Sequence, residues 1–242
     1  MGLRQPQTYF AFRQFTIHQE RCAMKVSTDA CIQGAWLPLD NGIRRVLDVG
    51  TGTGLLSLML AQRGAQLIID AIEIEPAAVV QATQNVQASP FAPQIKVIEA
   101  DARIFEPSFL YDLIVCNPPF FSQDLTGPDA ARNAVRHDAL LSAADIISLA
   151  GRALQPTGRL CIMWPPRRME AWEALMRNAG FHNHAMLTVR NKEGARASSI
   201  ISLWGRYTAA FCRDETLIIR VPDGSYTADF IHLLQDFYLR LS

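Results

Sequence analysis

Apolar and polar residues follow two alternating periodicities along the chain from Arg45 onward. Short runs rich in β-branched residues, typical of buried parallel strands, are separated by stretches with helical spacing of apolar side chains. Strands are predicted at residues 46–49, 67–73, 95–99, 112–116 and 159–164, and helices at 54–63, 76–88, 140–154 and 168–179. This alternation predicts an α/β protein with a largely parallel sheet and helices on both faces.

The two ends of the chain have weaker patterns. Two apolar runs, at residues 185–189 and 199–204, are expected to close an edge of the sheet. A strand at 216–220 and a helix at 228–239 are predicted after them. The chain begins with the alternating segment Phe10-Ala-Phe-Arg-Gln-Phe15 and continues into a predicted helix at 29–37. We expect residues 1–44 to form a cap over one end of the sheet, and residues 45–242 to form the main domain with its core at about 45–165.

A glycine-rich turn follows the first core strand, in Val46-Leu-Asp-Val-Gly-Thr-Gly-Thr-Gly54. Glycine permits positive φ and close approach of a ligand to the backbone, and a helix N-terminus favours negative groups. The dinucleotide fingerprint needs a glycine where the chain has Leu55, and no G-x-x-x-x-G-K-[ST] motif is present. The loop therefore indicates a ligand pocket but disfavours NAD and nucleotide triphosphates.

Carboxylates occur at or just after three successive predicted strands, at Asp48, Glu73 and Asp101. Glu73 is placed to accept hydrogen bonds from ribose hydroxyls, and Asp101 from the exocyclic amine of an adenine. A plain helix N-terminal role suits Glu75 better than Glu73, whereas Asp101 alone would be read as a helix cap. Together the three indicate a ligand with ribose, adenine and an ammonium group but no phosphate, such as S-adenosylmethionine.

The fourth core strand ends in Asn117-Pro-Pro-Phe120, an unusual exit for a buried strand. An amine conjugated to a purine ring is a poor nucleophile until acceptors bind both of its N–H bonds. The Asn117 side-chain oxygen and the Pro118 carbonyl could be these acceptors, held rigid by Pro118 and Pro119. Phe120 could stack on the base. The alternative is a stiff turn, but beside the glycine loop we favour catalysis by positioning and fixed polarity.

These motifs, from Asp48 and the glycine loop to Asn117–Phe120, resemble class I S-adenosylmethionine-dependent amino-methyltransferases over roughly residues 45–165. The flanking segments are similar to bacterial tRNA(Val) adenine-N6 methyltransferases, in Phe10-x-Phe-Arg-Gln-Phe15, Cys22-Ala-Met-Lys-Val-Ser-Thr-Asp29, Gly34-Ala-Trp36, Leu217-Ile-Ile-Arg-x-Pro-Asp-Gly-Ser-Tyr226 and Asp236-Phe-Tyr238. That family commonly has tyrosine where this chain has Phe120, and glycine where it has Ser27.

The resemblance implies a Rossmann-like fold with a seven-stranded sheet and a methyl transfer to N6 of the adenine just 3′ of the anticodon, position 37. It implies a cofactor site of Lys25, Thr28, Asp29, Asp48, Gly50, Thr51, Gly52, Gly54, Glu73, Ile74, Asp101, Ala102 and Asn117. It implies RNA contacts at Arg13, Lys25, Phe120, Arg132, Arg136 and His137. Thr28 or Asp29 could instead cap the following helix, and residues 122–138 could be a lid or a solvated connector.

Charge is distributed unevenly although the formal net charge is zero. Residues 46–150 contain five basic and twelve acidic groups, whereas residues 151–220 contain eleven and five. Twenty of the 23 basic residues are arginine, which suits bidentate phosphate contacts. This distribution is either ordinary solvated surface or a basic periphery around an acidic small-molecule centre, the second being expected for a tRNA-binding enzyme.

Several other features narrow the function. No apolar run could span a bilayer and no signal peptide is recognisable, so we expect a cytoplasmic protein with no membrane partner. The five cysteines form no C-x-x-C pair, and His182-x-His184 indicates one face of an edge strand, so no metal is expected. No obligate protein partner is predicted. Open alternatives are methylation of a protein glutamine amide, ribosomal RNA or DNA, a nicotinamide-dependent oxidoreductase, and a non-catalytic cofactor-binding or RNA-binding module.

Overall fold

A computed structural model of the chain describes residues 8–118 and 141–241, and a sheet of eight strands runs through it. The strands are β1 (Tyr9–Ala11), β2 (Thr16–His18), β3 (Arg45–Val49), β4 (Ile68–Glu73), β5 (Ile95–Glu99), β6 (Tyr111–Cys116), β7 (Leu154–Trp164), β8 (His182–Lys192), β9 (Ala197–Gly205) and β10 (Arg213–Arg220). The helices are α1 (Thr28–Trp36), α2 (Leu55–Arg63), α3 (Pro76–Gln87), α4 (Ala143–Ala153), α5 (Met169–Asn178) and α6 (Ala228–Leu234), with short 3-10 turns at Ala92–Gln94 and Pro166–Arg168.

The order of the strands in the main sheet is β10-β8-β9-β7-β6-β3-β4-β5. Strands β3 to β7 pair in parallel, β9 is antiparallel to both β7 and β8, and β10 is parallel to β8. The carboxyl ends of β3 to β7 therefore lie at one edge of the sheet, termed here the carboxyl edge. Because β9 reverses direction, the turn between β8 and β9 lies at this edge as well. This is where ligands bind in open α/β sheets.

Successive residues of the central strands face opposite sides of the sheet, as the two-residue period requires. Val46 of β3 packs into one apolar cluster with Leu58 of α2 and Phe230 of α6. The next residue, Leu47, packs into the other cluster with Leu149 of α4 and Trp172 of α5. Helices therefore cover both faces of the sheet, as predicted.

The N-terminal elements share the core of the first face. β1 and β2 form an antiparallel hairpin, and Phe12, Phe15 and Ile17 are buried in the cluster that contains α2 and α6. The Arg13 backbone N–H donates to the carbonyl of Phe237 at 2.8 Å, which links the hairpin to the C-terminal segment. The N-terminus is thus packed against the sheet domain through apolar contacts and backbone hydrogen bonds.

The sheet differs from the prediction in strand number and strand order. It has eight strands rather than seven, and the two apolar runs predicted to close an edge become the interior strands β8 and β9. The edge is β10, so the expectation that His182 and His184 lie on an edge strand is wrong. β8 pairs on both sides, with β9 and β10. His184 is buried, and its Nε2 contacts the carbonyl of Tyr207 at 2.7 Å.

Helix boundaries differ where side chains cap the ends. The helix predicted at 140–154 begins at Ala143, because the Ser142 hydroxyl accepts the Asp145 N–H and the Asp145 carboxylate accepts the Ser142 N–H. This reciprocal capping box fixes the first turn. The helix ends at Ala153, because Leu154 already pairs with Tyr111 in the sheet. The final helix is also shorter than predicted and ends at Leu234.

The cysteines are mostly part of the apolar core. All five are free, and Cys22, Cys31, Cys116 and Cys161 are buried while Cys212 is exposed. Burial raises the pKa of the Cys31 thiol to about 12, so this thiol stays protonated in the core. Over residues 8–118 and 141–241, the helices are too short or too polar to cross a membrane.

Candidate active site

The glycine loop follows β3 at the carboxyl edge and adopts left-handed backbone at all three glycines. Gly50, Gly52 and Gly54 have φ of +68°, +57° and +83°, a conformation that is costly for residues with a Cβ. A Cβ on Gly50 would meet no atom within 4 Å, so the loop leaves space there for a ligand. At Gly54 the same position faces Ala82 and Val86 of α3 at 3.7 Å, so the third glycine serves helix packing.

Asp48 lies beneath this loop, and only one of its two carboxylate oxygens has hydrogen-bond partners. Its Oδ2 accepts hydrogen bonds from the hydroxyls of Thr51 at 2.6 Å and Ser57 at 2.7 Å. Its Oδ1 is buried and has no hydrogen-bond partner. Burial raises the pKa of the Asp48 carboxyl group, and the two hydroxyl hydrogen bonds oppose that shift. A buried acceptor without a donor fits a cationic or N–H-bearing ligand group.

Glu73 ends β4 and holds the loop from the other side. Its Oε2 accepts the N–H of Gly52 at 2.9 Å, and its Oε1 accepts the N–H groups of Ile74 and Glu75 at 2.9 and 3.0 Å. As expected, Glu75 is the carboxylate at the start of the helix, directly before Pro76, although its side chain makes no capping hydrogen bond. Glu73 instead binds backbone N–H groups that precede the helix and keeps an open acceptor position on Oε2.

Asp101 and Ala102 follow β5 at the same edge. The Asp101 carboxylate accepts the Arg103 N–H at 2.9 Å and pairs with the Arg103 guanidinium at 2.7 Å. The side-chain hydrogen bond from Arg103 lowers the pKa of Asp101. Ala102 is buried, whereas Ile74, at the end of β4, keeps 41% of its surface exposed. An exposed apolar side chain beside two carboxylates suits contact with the flat face of a base.

Asn117 follows β6, the strand next to β3. Because Val49 pairs with Cys116, Gly50 and Asn117 leave the sheet side by side. The Asn117 Oδ1 is buried and has no hydrogen-bond partner, and Pro118 is buried behind it. The Gln33 Nε2 donates to the Cys116 carbonyl at 3.0 Å, which fixes the end of the strand. Pro119 and Phe120 lie outside the described residues, as do Arg132, Arg136 and His137 and the rest of the segment 122–138.

Asn117 opens into a cleft of about 770 Å³ at the carboxyl edge. Asp29 of α1 and Ser199 of β9 both line the cleft. Burial raises the pKa of Asp29, and the Ser199 hydroxyl opposes the shift. Arg167, Arg190 and Arg196 also line the cleft. Sequence reasoning did not single out these arginines, although Pro165-Pro166 before Arg167 repeats the double-proline exit of β6.

The N-terminal residues predicted for the site have structural partners of their own. The Lys25 ammonium donates to the carbonyls of Gln19 and Cys22 and thereby closes the loop before α1. Ser27 caps α1, since its Oγ accepts the Ala30 N–H at 3.2 Å, so the prediction that Thr28 or Asp29 is the cap is wrong. This capping role also explains why serine is compatible with the turn at 27.

Arg13 is held near the C-terminus. Its Nε donates to the carbonyl of Tyr238 at 2.9 Å, although the side chain remains exposed. Its contact with RNA stays a prediction, as does that of Lys25. Among the described residues, no three His, Cys, Asp or Glu side chains are grouped so that they could hold a metal ion.

Comparison with known proteins gives a consistent result. Residues 37–192 match the family model of the methyltransferase small domain. The chain is 43% identical over 234 residues to a tRNA1(Val) (adenine(37)-N6)-methyltransferase of Tolumonas auensis, covering 96% of this chain and 98% of that protein. It is 36% identical over 239 residues to the enzyme of that name from Bacteroides fragilis, covering 97% and 99%.

Solved structures with the same fold are more distant in sequence. A predicted O-methyltransferase of Agrobacterium tumefaciens has a TM-score of 0.68 at 16% identity, covering 86% of this chain and 95% of that one. A SAM-dependent methyltransferase of Thiobacillus denitrificans, in complex with S-adenosyl-L-homocysteine, has a TM-score of 0.50 at 20% identity, covering 69% of each chain. These likenesses show a methyltransferase fold, while the sequence relatives show the family. The chain belongs to the methyltransferase small domain family and, within it, to the tRNA1(Val) (adenine(37)-N6)-methyltransferases.

Proposed function

We propose that the chain transfers a methyl group from S-adenosylmethionine to N6 of adenine 37 in tRNA1(Val). The observation that carries this proposal is the unpartnered, buried Oδ1 of Asn117, placed between the glycine loop and an open cleft. An orphaned acceptor at that position fits an N–H donor delivered by the substrate. The names of the relatives, which match this chain over nearly its whole length, specify the same base and the same atom.

The residues around the glycine loop would hold the cofactor. The space at Gly50 would admit it close to the backbone, and the free Oδ1 of Asp48 fits its ammonium group. The open acceptor position of Glu73 fits a ribose hydroxyl, and Ile74 fits the face of the adenine. Asp101 would accept from the adenine amine beside the pair that it already makes with Arg103. When bound, S-adenosylmethionine supplies an electrophilic methyl group on sulfur.

The contribution of Asn117 and Pro118 is to make the target amine nucleophilic. The nitrogen lone pair of adenine N6 is delocalised into the ring, and acceptors on both N–H bonds draw the nitrogen towards tetrahedral geometry. The Asn117 Oδ1 would be one acceptor and the Pro118 carbonyl the other. Because both are fixed before the substrate arrives, they need no reorganisation during the reaction. The nitrogen–carbon bond would form as the carbon–sulfur bond breaks and the thioether leaves. The methylated nitrogen would then be a strong acid and would lose its proton to water, so no strong base is required.

We also place the reaction in the cytoplasm. The described cysteines are all free, and Cys116 and Cys161 are buried in neighbouring strands without forming a disulfide. Free thiols are typical of proteins in reducing compartments. Transfer RNA that awaits modification in a bacterium is found in the same compartment.

The test is transfer of radiolabelled methyl groups to total tRNA, followed by nucleoside analysis and mapping to individual tRNAs. We expect the label in N6-methyladenosine at position 37 of tRNA1(Val). RNA from a strain that lacks the gene is the substrate of choice, since its sites are unmethylated. Label in protein but not in RNA would contradict the proposal and favour a glutamine amide as acceptor.

A further inference from the structure

We propose that Arg167, Arg190 and Arg196 form a clamp for the RNA backbone that places the target base against Asn117. This inference rests on the proposed function, because it assumes that the substrate is RNA. It adds a binding site on the substrate side of the cleft, where the three arginines would bind the phosphates that flank the target nucleotide.

Three separate segments bring the arginines together at the carboxyl edge. Arg167 follows Pro165-Pro166 at the end of β7, and Arg190 lies near the end of β8. Arg196 immediately precedes β9. Since β9 runs antiparallel to its neighbours, the turn that joins β8 and β9 returns to the edge where Asn117 lies. The topology of the sheet therefore concentrates three positive charges in one cleft.

Several arginines of the described region hold the fold together. The Arg63 guanidinium donates to the carbonyls of Gly34 and Leu37 at 2.7 Å, and that of Arg152 donates to the Ala102 carbonyl at 2.7 Å. Arg190, which lines the cleft, also has such a contact, with the carbonyl of Ala195, which closes the hairpin. That contact uses Nη1, so the guanidinium retains other N–H donors. Arg196 is exposed at the rim.

The chemistry of the cleft favours a nucleotide. Met24, Met163 and Pro165 give it apolar walls, and a volume of about 770 Å³ falls in the range of about 300–1,000 Å³ typical of ligand sites. Proline has no backbone N–H that would need a hydrogen-bond partner, so the wall formed by Pro165 can contact the flat face of a base. Guanidinium groups match phosphate geometry with paired hydrogen bonds. A glutamine side chain of a protein substrate would need none of these three charges, so we favour RNA.

The experiment measures the affinity of the full-length enzyme for unmethylated tRNA1(Val) at several salt concentrations. Arg167→Ala and Arg196→Ala are the test variants, while Arg190 is left unchanged because it supports the hairpin. Arg177→Ala is the matched control, since Arg177 is exposed near the far end of α5, where it pairs with Glu173. All three variants remove one positive charge, and Arg177 is not among the residues that line the cleft.

Each test variant is expected to bind tRNA about 10-fold more weakly, the usual effect of losing a charged hydrogen bond. Each should also reduce the slope of log affinity against log salt by about 0.7–0.9, as one phosphate contact does. The dissociation constant for S-adenosylmethionine, measured by calorimetry, should stay within about twofold. Arg196→Lys should restore part of the slope, and Arg177→Ala should retain all of it.

Unchanged slopes in both test variants would overturn the clamp. The outcome is distinct from failure of the proposed function. If the unaltered enzyme methylates tRNA while the variants bind it as before, only the clamp is wrong. If the unaltered enzyme transfers no methyl group to tRNA and instead modifies a protein, both inferences fall.

Discussion

The two halves of the carboxyl edge differ in charge, although they belong to one continuous sheet. Over β3, β4 and β5 the edge presents Asp48, Glu73 and Asp101, whereas over β7, β8 and β9 it presents arginines. Asn117 directly follows β6, between the two halves. The formal net charge of zero gives no sign of this separation of charge along the edge.

The halves also differ in how firmly their groups are held. In the acidic half, Glu73 accepts three backbone N–H groups and Asp48 accepts two hydroxyls, so both carboxylates are fixed before a ligand binds. In the basic half, the Arg196 side chain is exposed at the rim of the cleft. A preorganised pocket suits one small cofactor, and a long, exposed side chain suits an RNA backbone whose shape varies.

Removal of the Asn117 side-chain oxygen, the hydrogen-bond acceptor between the two halves, should have the largest effect on activity. Asn117→Ala is expected to lower kcat by about 10²–10³-fold, the effect of losing one preorganised polar group at a reacting centre. The affinity for the cofactor, measured by calorimetry, should remain within about twofold. The control is Asn183→Ala on β8, which removes another buried and unpartnered amide oxygen, but near the opposite edge. Near-normal turnover in Asn117→Ala would remove this residue from the mechanism.

Neutralisation of the acidic half should separate cofactor binding from RNA binding. Glu73→Gln is expected to weaken binding of S-adenosylmethionine by about 10–100-fold, because a charge-assisted acceptor is lost. The tRNA dissociation constant should not change. Glu99→Gln is the control, since Glu99 pairs in register with Glu73 on the neighbouring strand and is exposed. Equal losses of cofactor affinity in both variants would mean that total negative charge at this edge, and not the position of Glu73, determines cofactor binding.

The salt dependence of ligand affinity should distinguish the two halves without any substitution. If three phosphates are bound by the clamp, the tRNA affinity should fall by about 4–6-fold between 100 and 200 mM salt, from counterion release. The cofactor binds with no phosphate contact, so its affinity should change much less. Titrations of each ligand at several salt concentrations measure the contrast. A flat response for tRNA would count against a basic RNA-binding surface.

The smallest effect concerns stability. Since the folded-state pKa of Asp48 is raised by burial, the folded protein loses stability as the pH rises through that value. Asp48→Asn removes this cost and should raise Tm at neutral pH by about 2–4 °C, equivalent to about 1 kcal/mol. The gain should shrink as the pH falls, because the raised pKa means that the folded protein protonates Asp48 more readily than the unfolded chain does. Thermal unfolding at pH 8 and pH 4.5 tests this expectation.

The control for this stability experiment is Asp214→Asn, an exposed aspartate at the outer strand β10. A surface substitution of this kind usually changes stability by less than about 0.5 kcal/mol. A lower Tm for Asp48→Asn than for the unaltered protein at pH 8 would show that the buried carboxylate stabilises the loop.

The core of the fold was predictable because its signals are local. Strand β5 has the predicted bounds, and α2 and α3 differ from theirs by one residue at one end. Patterns of apolar residues at periods of 2 and 3.6 identify such elements directly. The placement of β8 and β9 was not predictable in this way, since which strand lies at the edge depends on pairings between distant segments.

The chemistry was predictable only in part, for a related reason. Asp48 and Asn117 adjoin distinctive glycine and proline motifs, so their place at the carboxyl edge followed from the sequence. The role of Glu75 at the start of the helix followed from the sequence, whereas the three backbone N–H groups that Glu73 accepts did not, because backbone geometry decides which N–H groups a carboxylate reaches. Arg190 and Arg196 lie in an ordinary strand and turn, and only the direction of β9 brings them to the cleft.

The amide of Gln33 joins two parts of the molecule that are far apart in sequence. Through its 3.0 Å hydrogen bond to the Cys116 carbonyl, the helix that contains Asp29 is tied to the residue immediately before Asn117. The position of Asn117 therefore depends on a helix that precedes the whole methyltransferase core. A chain that starts at β3 would lose this support, and we expect it to lose activity even if the sheet still folds.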